Sequence, residues 1–164
     1  MAEKSTKKRT GKTPSDSAVQ SRYIIMPDHA NQYGTAFGGV IVGWIDIVAA
    51  MAAQKHCCKE AVTVGIDSLI FKEPVKIGDH IVLKACVNYV GRSSMEVGVR
   101  VEAEDRRTAE KRHVASAYLS FVSLDGRGKP QPIPPLILVT EEEKRRNQDA
   151  QVRKEARLRE RRSY

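Results

Sequence analysis

The sequence predicts an α+β fold in which one long buried helix packs on a sheet of antiparallel strands. Three observations carry this. Residues 40–53 are an apolar block long enough for a helix. After it the pattern changes to four runs of about ten residues rich in β-branched and apolar types. A length of 164 residues with an ordinary 41% hydrophobic fraction suits one domain with a core of its own.

The helical block is apolar all round, so the helix is expected to be buried on nearly every side rather than laid on a surface. Lys55 and His56 fall in its last turn, where positive groups suit the helix dipole. The strand runs are AVTVGIDSLIF, HIVLKACVNYV, SMEVGVRVEAE and HVASAYLSFVS. In the third, Met95, Val97, Val99, Val101 and Ala103 alternate with Ser94, Glu96, Gly98, Arg100 and Glu102, giving one dry and one wet face. The separators KEPVKIGD, GRS and EDRRTAEKR are turn-like, and links this short predict an antiparallel meander. Ahead of the helix, SRYIIM reads as a short strand ended by Pro27, followed by the turn-rich loop PDHANQYGTAFGG. Behind the last strand, DGRGKP turns and PQPIPP runs extended.

Residues 1–20 are expected to be a disordered basic arm, 21–139 the folded domain and 140–164 a charged helix or tail. That last helix starts at Thr140 with Glu143 as its capping box and carries i,i+4 pairs such as Glu141/Arg145, Glu142/Arg146 and Glu155/Arg159. It lacks an apolar stripe, so a solvated or fraying helix is expected. One sheet covers one side of a helix. The all-round apolarity of residues 40–53 and a leftover edge strand therefore imply a partner subunit.

The net charge of +8 suggests an anionic partner, but its distribution argues otherwise. Residues 1–22 hold six Lys/Arg against two acids and residues 140–164 hold nine against six, so the middle is left with only +1. Nucleic acid is not an expected partner. Cys57, Cys58 and Cys86 form no CxxC pair and read as reduced thiols of a cytoplasmic protein. The N-terminus has no apolar stretch behind its charges, so no secretory signal is expected. Residues 36–53 approach the length of a membrane span, but three glycines and a central carboxylate argue against one.

That carboxylate, Asp46, is the only charged side chain in the apolar block. Desolvating it costs several kcal/mol, on the order of the burial penalty of an unpaired ion, unless it is paired or faces a polar cavity. It is therefore a site candidate, with a structural pairing as the plain alternative. Gly38 and Gly39 sit about two turns earlier, where a ligand can approach backbone N–H groups at a helix start. Asn31 in the preceding loop offers a donor and an acceptor, or simply closes a turn. The hairpin Gly91-Arg92-Ser93-Ser94 can hold a phosphate or be a solvated turn. There is no GxSxG elbow, P-loop, HExxH or metal-like spacing, and His29, His56, His80 and His113 are scattered. No metal is expected.

The stretches MPDHANQYGTAFGGVIVGWID, VTVGIDSLIFKEPVKIGD and VGRSSMEVGVRV resemble the acyl-CoA thioesterases of the hotdog fold. The group in question holds the bacterial short-to-medium-chain acyl-CoA hydrolase and the brain-type cytosolic long-chain enzyme. The likeness runs from about residue 24 to 135, and EEEKRR is similar to the long-chain branch. It implies a long central helix wrapped by a five-stranded antiparallel sheet, dimers with a continuous sheet, and assembly to a trimer of dimers. Active sites at the dimer interface, with Asn31 and Asp46 from different subunits, are implied as well. Asp46 and Asn31 fall on the catalytic positions and Gly38 and Gly39 on the helix start that holds the thioester carbonyl. The position before the glycines varies between His and Phe in such enzymes, and here it is Phe37, so no histidine donor is expected there. Phe71, Lys72, Arg92, Ser93 and Ser94 are the residues expected to hold CoA, which enters as part of the substrate, with no separate cofactor. Asp46 would act as general base on water or as nucleophile, and the sequence does not choose between them. The rival reading is a non-catalytic acyl-CoA-binding regulator of the same fold. A hotdog dehydratase needs a histidine near the helix start, which this chain does not supply.

Overall fold

The computed structural model describes residues 10–161. In chain order its elements are α1 (Pro14–Ser17), β1 (Val19–Ile24), a 3-10 turn (Pro27–His29), α2 (Gly38–Cys57), β2 (Glu60–Phe71), β3 (His80–Val90), β4 (Ser94–Glu104), β5 (Lys111–Leu124) and α3 (Glu141–Arg161). The five strands form one antiparallel sheet in the order β1-β3-β4-β5-β2. The central helix on a five-stranded sheet is the architecture expected.

α2 lies across the inner face of the sheet. Ile41, Ile45, Val48, Ala49 and Ala52 are buried against Val97, Val101, Leu119 and Phe121. Alanines at 49, 52 and 53 let the helix sit close to the strands, and each buried branched side chain contributes roughly 2 kcal/mol. The dry face of β4 is as the alternation predicted, with Met95, Val97, Val99, Val101 and Ala103 all buried. The far side of α2 is different. Ile47 is 54% exposed and Met51 39%, and on the neighbouring edge strand Val62, Val64 and Ile66 are more than 40% exposed. Within one subunit the helix is therefore not covered all round. α2 is also long and apolar enough to cross a membrane by length and composition, yet here it is the core helix.

The meander expectation holds for β3, β4 and β5 but not for β2, which pairs with β5 and leaves β3 to β1. The cause is the connection 72–79, too long for a tight hairpin and tied down away from β2. Ala36 N–H donates to Val75 O at 2.7 Å and Lys76 N–H to Asp79 Oδ2 at 3.0 Å. Arg112 reaches over from β5 to bond Asp79 at 2.6 Å. The chain is thereby carried past the start of α2 to the opposite side of the sheet.

Part of the stretch 1–20, expected to be a disordered arm, is ordered. Residues 1–9 lie outside the described residues, but 10–20 are part of the fold. Thr13 and Asp16 cap α1 reciprocally, and buried Ser17 accepts the Val87 N–H at 3.0 Å. Lys12 donates to Lys55 O at 2.9 Å. Polar contacts of this kind leave no apolar period to read.

α3 also departs from expectation: it is docked on the outer face of the sheet instead of fraying in solvent. Arg153 bonds Glu96 through two nitrogens, at 2.7 and 3.0 Å, and lies 3.6 Å above the Tyr118 ring. Arg157 pairs with Asp67, Asn147 donates to Asn88 O at 2.9 Å, and Ala150 is fully buried. The wet face of β4 thus meets a helix whose matching face is basic rather than apolar.

Of the two last-turn groups of α2, Lys55 stays outside and bonds Ala18 O at 2.9 Å. His56 is fully buried, so it is not a positive partner of the dipole. Its Nε2 is 2.9 Å from Pro134 O, which fixes the proton on that nitrogen, and Nδ1 is buried without a partner among the described residues. Burial holds its pKa below the ordinary 6.5, the Pro134 bond opposing this only in part.

Two outcomes follow. Arg153→Ala leaves Glu96, whose side chain is 3% exposed, without its cation, and is expected to destabilise by about 3 kcal/mol, against less than about 0.5 kcal/mol for Arg145→Ala at the exposed Asp149 pair. Urea unfolding at matched protein concentration measures both. Because folding lowers the His56 pKa, its contribution is complete above the unfolded value and declines as pH falls below about 6.5. The melting temperature should drop between pH 7 and 5 more steeply in the wild type than in His56→Gln, which keeps a donor for Pro134 but does not titrate.

Candidate active site

The loop before α2 is held by aromatic packing. Trp44 on α2 stacks on Tyr23 of β1 with centroids 4.4 Å apart, and His29 meets its edge at 5.0 Å. Within this loop Asn31 closes an Asx turn. Its Oδ1 accepts from Tyr33 N–H at 2.9 Å and from Thr35 N–H at 3.3 Å, while Nδ2 donates to Thr35 Oγ1 at 3.0 Å. The turn places Asn31 beside the start of α2.

That start is left open. Phe37 is the N-cap residue and supplies no side-chain bond. The N–H groups of Gly38 and Gly39 have no hydrogen-bond partner among the described residues. They are two unsatisfied donors at the positive end of a twenty-residue helix. Phe71, at the end of β2, brings its ring to 3.7 Å from the point where a Gly38 Cβ would sit. Gly38, Ile41, Phe71, Lys72 and Val75 line a cavity of about 360 Å³ here.

Asp46 lies eight residues along the helix from Gly38, about 12 Å at 1.5 Å per residue. It is half-buried, and its Oδ1 accepts a hydrogen bond of 2.7 Å from Thr63 Oγ1 on β2. Thr63 is the residue that sequence reading missed. A hydroxyl in a strand has no periodic signature, and its partner is 17 residues away on another element.

The site residues fall into two groups. Asn31, Gly38, Gly39, Phe71 and Lys72 gather at one end of the sheet. Arg92, Ser93 and Ser94 form the β3–β4 hairpin at the other, with Gly91 N–H donating to Ser94 O at 2.7 Å. Phe71 aligns through Ala115 with Val101, seven residues along β4 from Ser94, so the two ends are roughly 23 Å apart at about 3.3 Å per residue. Thr63 aligns through Phe121 with Met95, so it and Asp46 belong to the hairpin end. A larger cavity, about 550 Å³, lies under α3 on the opposite face of the sheet and is lined by none of these residues. Among the described residues no group of three or more His, Cys, Asp and Glu could hold a metal ion.

Residues 33–110 match the thioesterase superfamily model. The chain is 40% identical over 128 residues to an uncharacterized acyl-CoA thioester hydrolase, YkhA, of Bacillus subtilis, covering 78% of this chain and 74% of that protein. It superposes on an apo-hexameric acyl-CoA thioesterase with a TM-score of 0.89 at 37% identity, covering 92% of this chain and 97% of that one. An acyl-CoA hydrolase from Staphylococcus aureus, solved with butyryl coenzyme A, coenzyme A and coenzyme A disulfide, gives a TM-score of 0.86 at 36% identity, with 92% of each chain covered. That enzyme has also been solved as alanine mutants of an asparagine, an aspartate and a threonine. Those three are spaced 15 and 17 residues apart, the spacings of Asn31, Asp46 and Thr63 here. With the central helix, its five-stranded wrapping and these relatives taken together, the chain belongs to the thioesterase superfamily, with the hotdog fold.

Proposed function

We propose that this protein is an acyl-CoA thioester hydrolase that releases a free fatty acid and CoA, with Asp46 at its reacting centre. The observation that carries the reading is the Thr63–Asp46 hydrogen bond, a carboxylate held in place on an otherwise apolar helix face. The matching spacing in the Staphylococcus aureus enzyme supports it.

The active site in this reading is shared between two subunits. β2 is a twelve-residue edge strand, and the apolar residues around it on β2 and α2 are exposed. Pairing β2 with its two-fold copy in antiparallel fashion continues the sheet and covers those residues. It also lays the Phe71 end of one subunit against the Thr63 end of the other. The roughly 23 Å gap within one chain then closes across the dimer, joining Asn31, Gly38 and Gly39 of one subunit to Asp46, Thr63 and Arg92 of its partner. Three such dimers make a hexamer, the state named for the apo-hexameric relative.

The chemistry follows. The thioester carbonyl accepts hydrogen bonds from the Gly38 and Gly39 N–H groups, which stabilise the oxyanion as it forms. Asp46 takes a proton from a water whose oxygen attacks the carbonyl carbon. Collapse of the tetrahedral species breaks the C–S bond, and the CoA thiolate leaves with the proton from Asp46. Direct attack by Asp46, giving a mixed anhydride that water then opens, uses the same donors. Thr63 orients the carboxylate and Asn31 orients water or substrate. Phe71 and Lys72 flank the pantetheine path, and Arg92, Ser93 and Ser94 hold the nucleotide end. CoA serves as substrate and product, and no separate cofactor or metal takes part. The hydrolase domain takes in residues 10–20 together with 21–139, and the three free thiols agree with a reducing cytoplasm.

Thiol release from acyl-CoAs, acetyl to palmitoyl, is the deciding assay. Asp46→Asn is expected to lower kcat at least about a thousandfold, the scale of losing a general base or nucleophile, while acyl-CoA still binds. A mutant with a sizeable fraction of wild-type turnover would remove Asp46 from the chemistry. Tight acyl-CoA binding by the wild type without thiol release would point to the regulator instead. Thr63→Val, which deletes one hydroxyl and keeps the shape, should lower kcat about tenfold or more with little change in KM.

A further inference from the structure

α3 is the part of the molecule that the reaction above leaves unused, and its cations are not all alike. Lys144, Arg145, Arg146, Arg153, Arg157 and Arg159 are each set against a carboxylate. Lys154 is not. Its Nζ donates to the neutral Tyr89 Oη at 3.0 Å and lies 4.8 Å from the centre of the Tyr89 ring. The same Nζ is only 3.4 Å from the point where a Gly91 Cβ would sit, so α3 delivers an ammonium group to the β3–β4 hairpin.

The hairpin itself is firmly placed. Arg92 O accepts from Ile133 N–H and Ser93 O from Ser123 N–H, both at 2.9 Å. The Arg92 side chain is exposed and has no hydrogen-bond or ion-pair partner among the described residues. Arg92 on this serine-bearing turn and Lys154, brought from α3 to the adjoining Gly91, have no carboxylate partner among the described residues and make a local excess of about two positive charges. The Glu96 charge close by is already matched by Arg153. An excess of this kind is a site for a phosphate dianion, bound by charge-assisted hydrogen bonds.

We propose that Lys154 of α3 and Arg92 of the hairpin form a two-cation clamp for the phosphates at the nucleotide end of the CoA substrate. The docked helix then completes the substrate site, and the Tyr89 phenol is the group that aims the ammonium. The proposal rests on reading the hairpin as the nucleotide-binding element. None of the reacting groups lies on α3, so its contribution is to affinity for the nucleotide end of CoA.

The test is steady-state kinetics of the full-length protein on an acyl-CoA and on the same acyl group carried by pantetheine, which lacks the nucleotide. Lys154→Gln keeps a donor for Tyr89 and removes the charge. It should raise KM for the acyl-CoA about tenfold, the loss of one charge-assisted bond, with kcat within about twofold and KM for the acyl-pantetheine unchanged. Lys154→Arg should restore most of the affinity. Arg92→Gln serves as the separate check on the hairpin. If Arg92→Gln raises KM for the acyl-CoA and Lys154→Gln does not, the hairpin reading stands and the clamp is overturned. If neither does, both are overturned. A rise in KM for both substrates with Lys154→Gln would make the lysine a structural prop of α3, and this too would overturn the clamp.

Discussion

The structure depends on the burial of α2. A twenty-residue helix whose surface is apolar on nearly every side has no stable place in water, and a single antiparallel sheet can wrap only part of it. The sheet takes the face bearing Ile41, Ile45, Val48 and Ala52. What remains, the strip with Gly43, Ile47 and Met51 beside the open edge of β2, is the surface on which a second subunit is proposed to sit. Asp46 is on the same helix, so the element that drives folding and association also carries the candidate carboxylate.

The position of β2 follows from that constraint. Were β2 to pair with β3 as a simple meander, the sheet edge beside α2 would be a different strand, and Thr63 would not face Asp46. The connection 72–79, anchored by Asp79 to Arg112 and by Val75 to Ala36 of the loop before α2, takes the chain across instead. One clamp thus decides the strand order, the Thr63–Asp46 contact and the cavity beside Gly38.

The outer face of the sheet is assembled by a different force. Glu96, Asn88 and Ser120 are buried polar residues on strands whose other face is the core. α3 covers them with Arg153, Arg157 and Asn147, so the helix is held by ion pairs and hydrogen bonds more than by apolar contact. Such a layer is directional. It sets α3 in one register, and that register delivers Lys154 to the hairpin.

The sequence by itself determined the elements that bury apolar area. The helix was legible as a long unbroken apolar block and the strands, β4 above all, by β-branched runs and period-2 alternation, because such patterns record which side chains leave water. Asp46 stood out for the same reason, as a charge where the pattern forbids one, whereas Asn31, Gly38 and Gly39 were open candidates on their residues alone and took their roles from likeness to a family. Only the tertiary structure decided what polar contacts hold. Residues 10–20 fold through a capping box and the buried Ser17 hydroxyl, and α3 docks through arginines. His56 is neutral in the core, and Thr63 bonds Asp46. A hydrogen bond or ion pair needs two groups at one distance and angle, often from elements far apart in sequence. Its strength lies in that geometry, which a one-dimensional pattern of residue types does not carry.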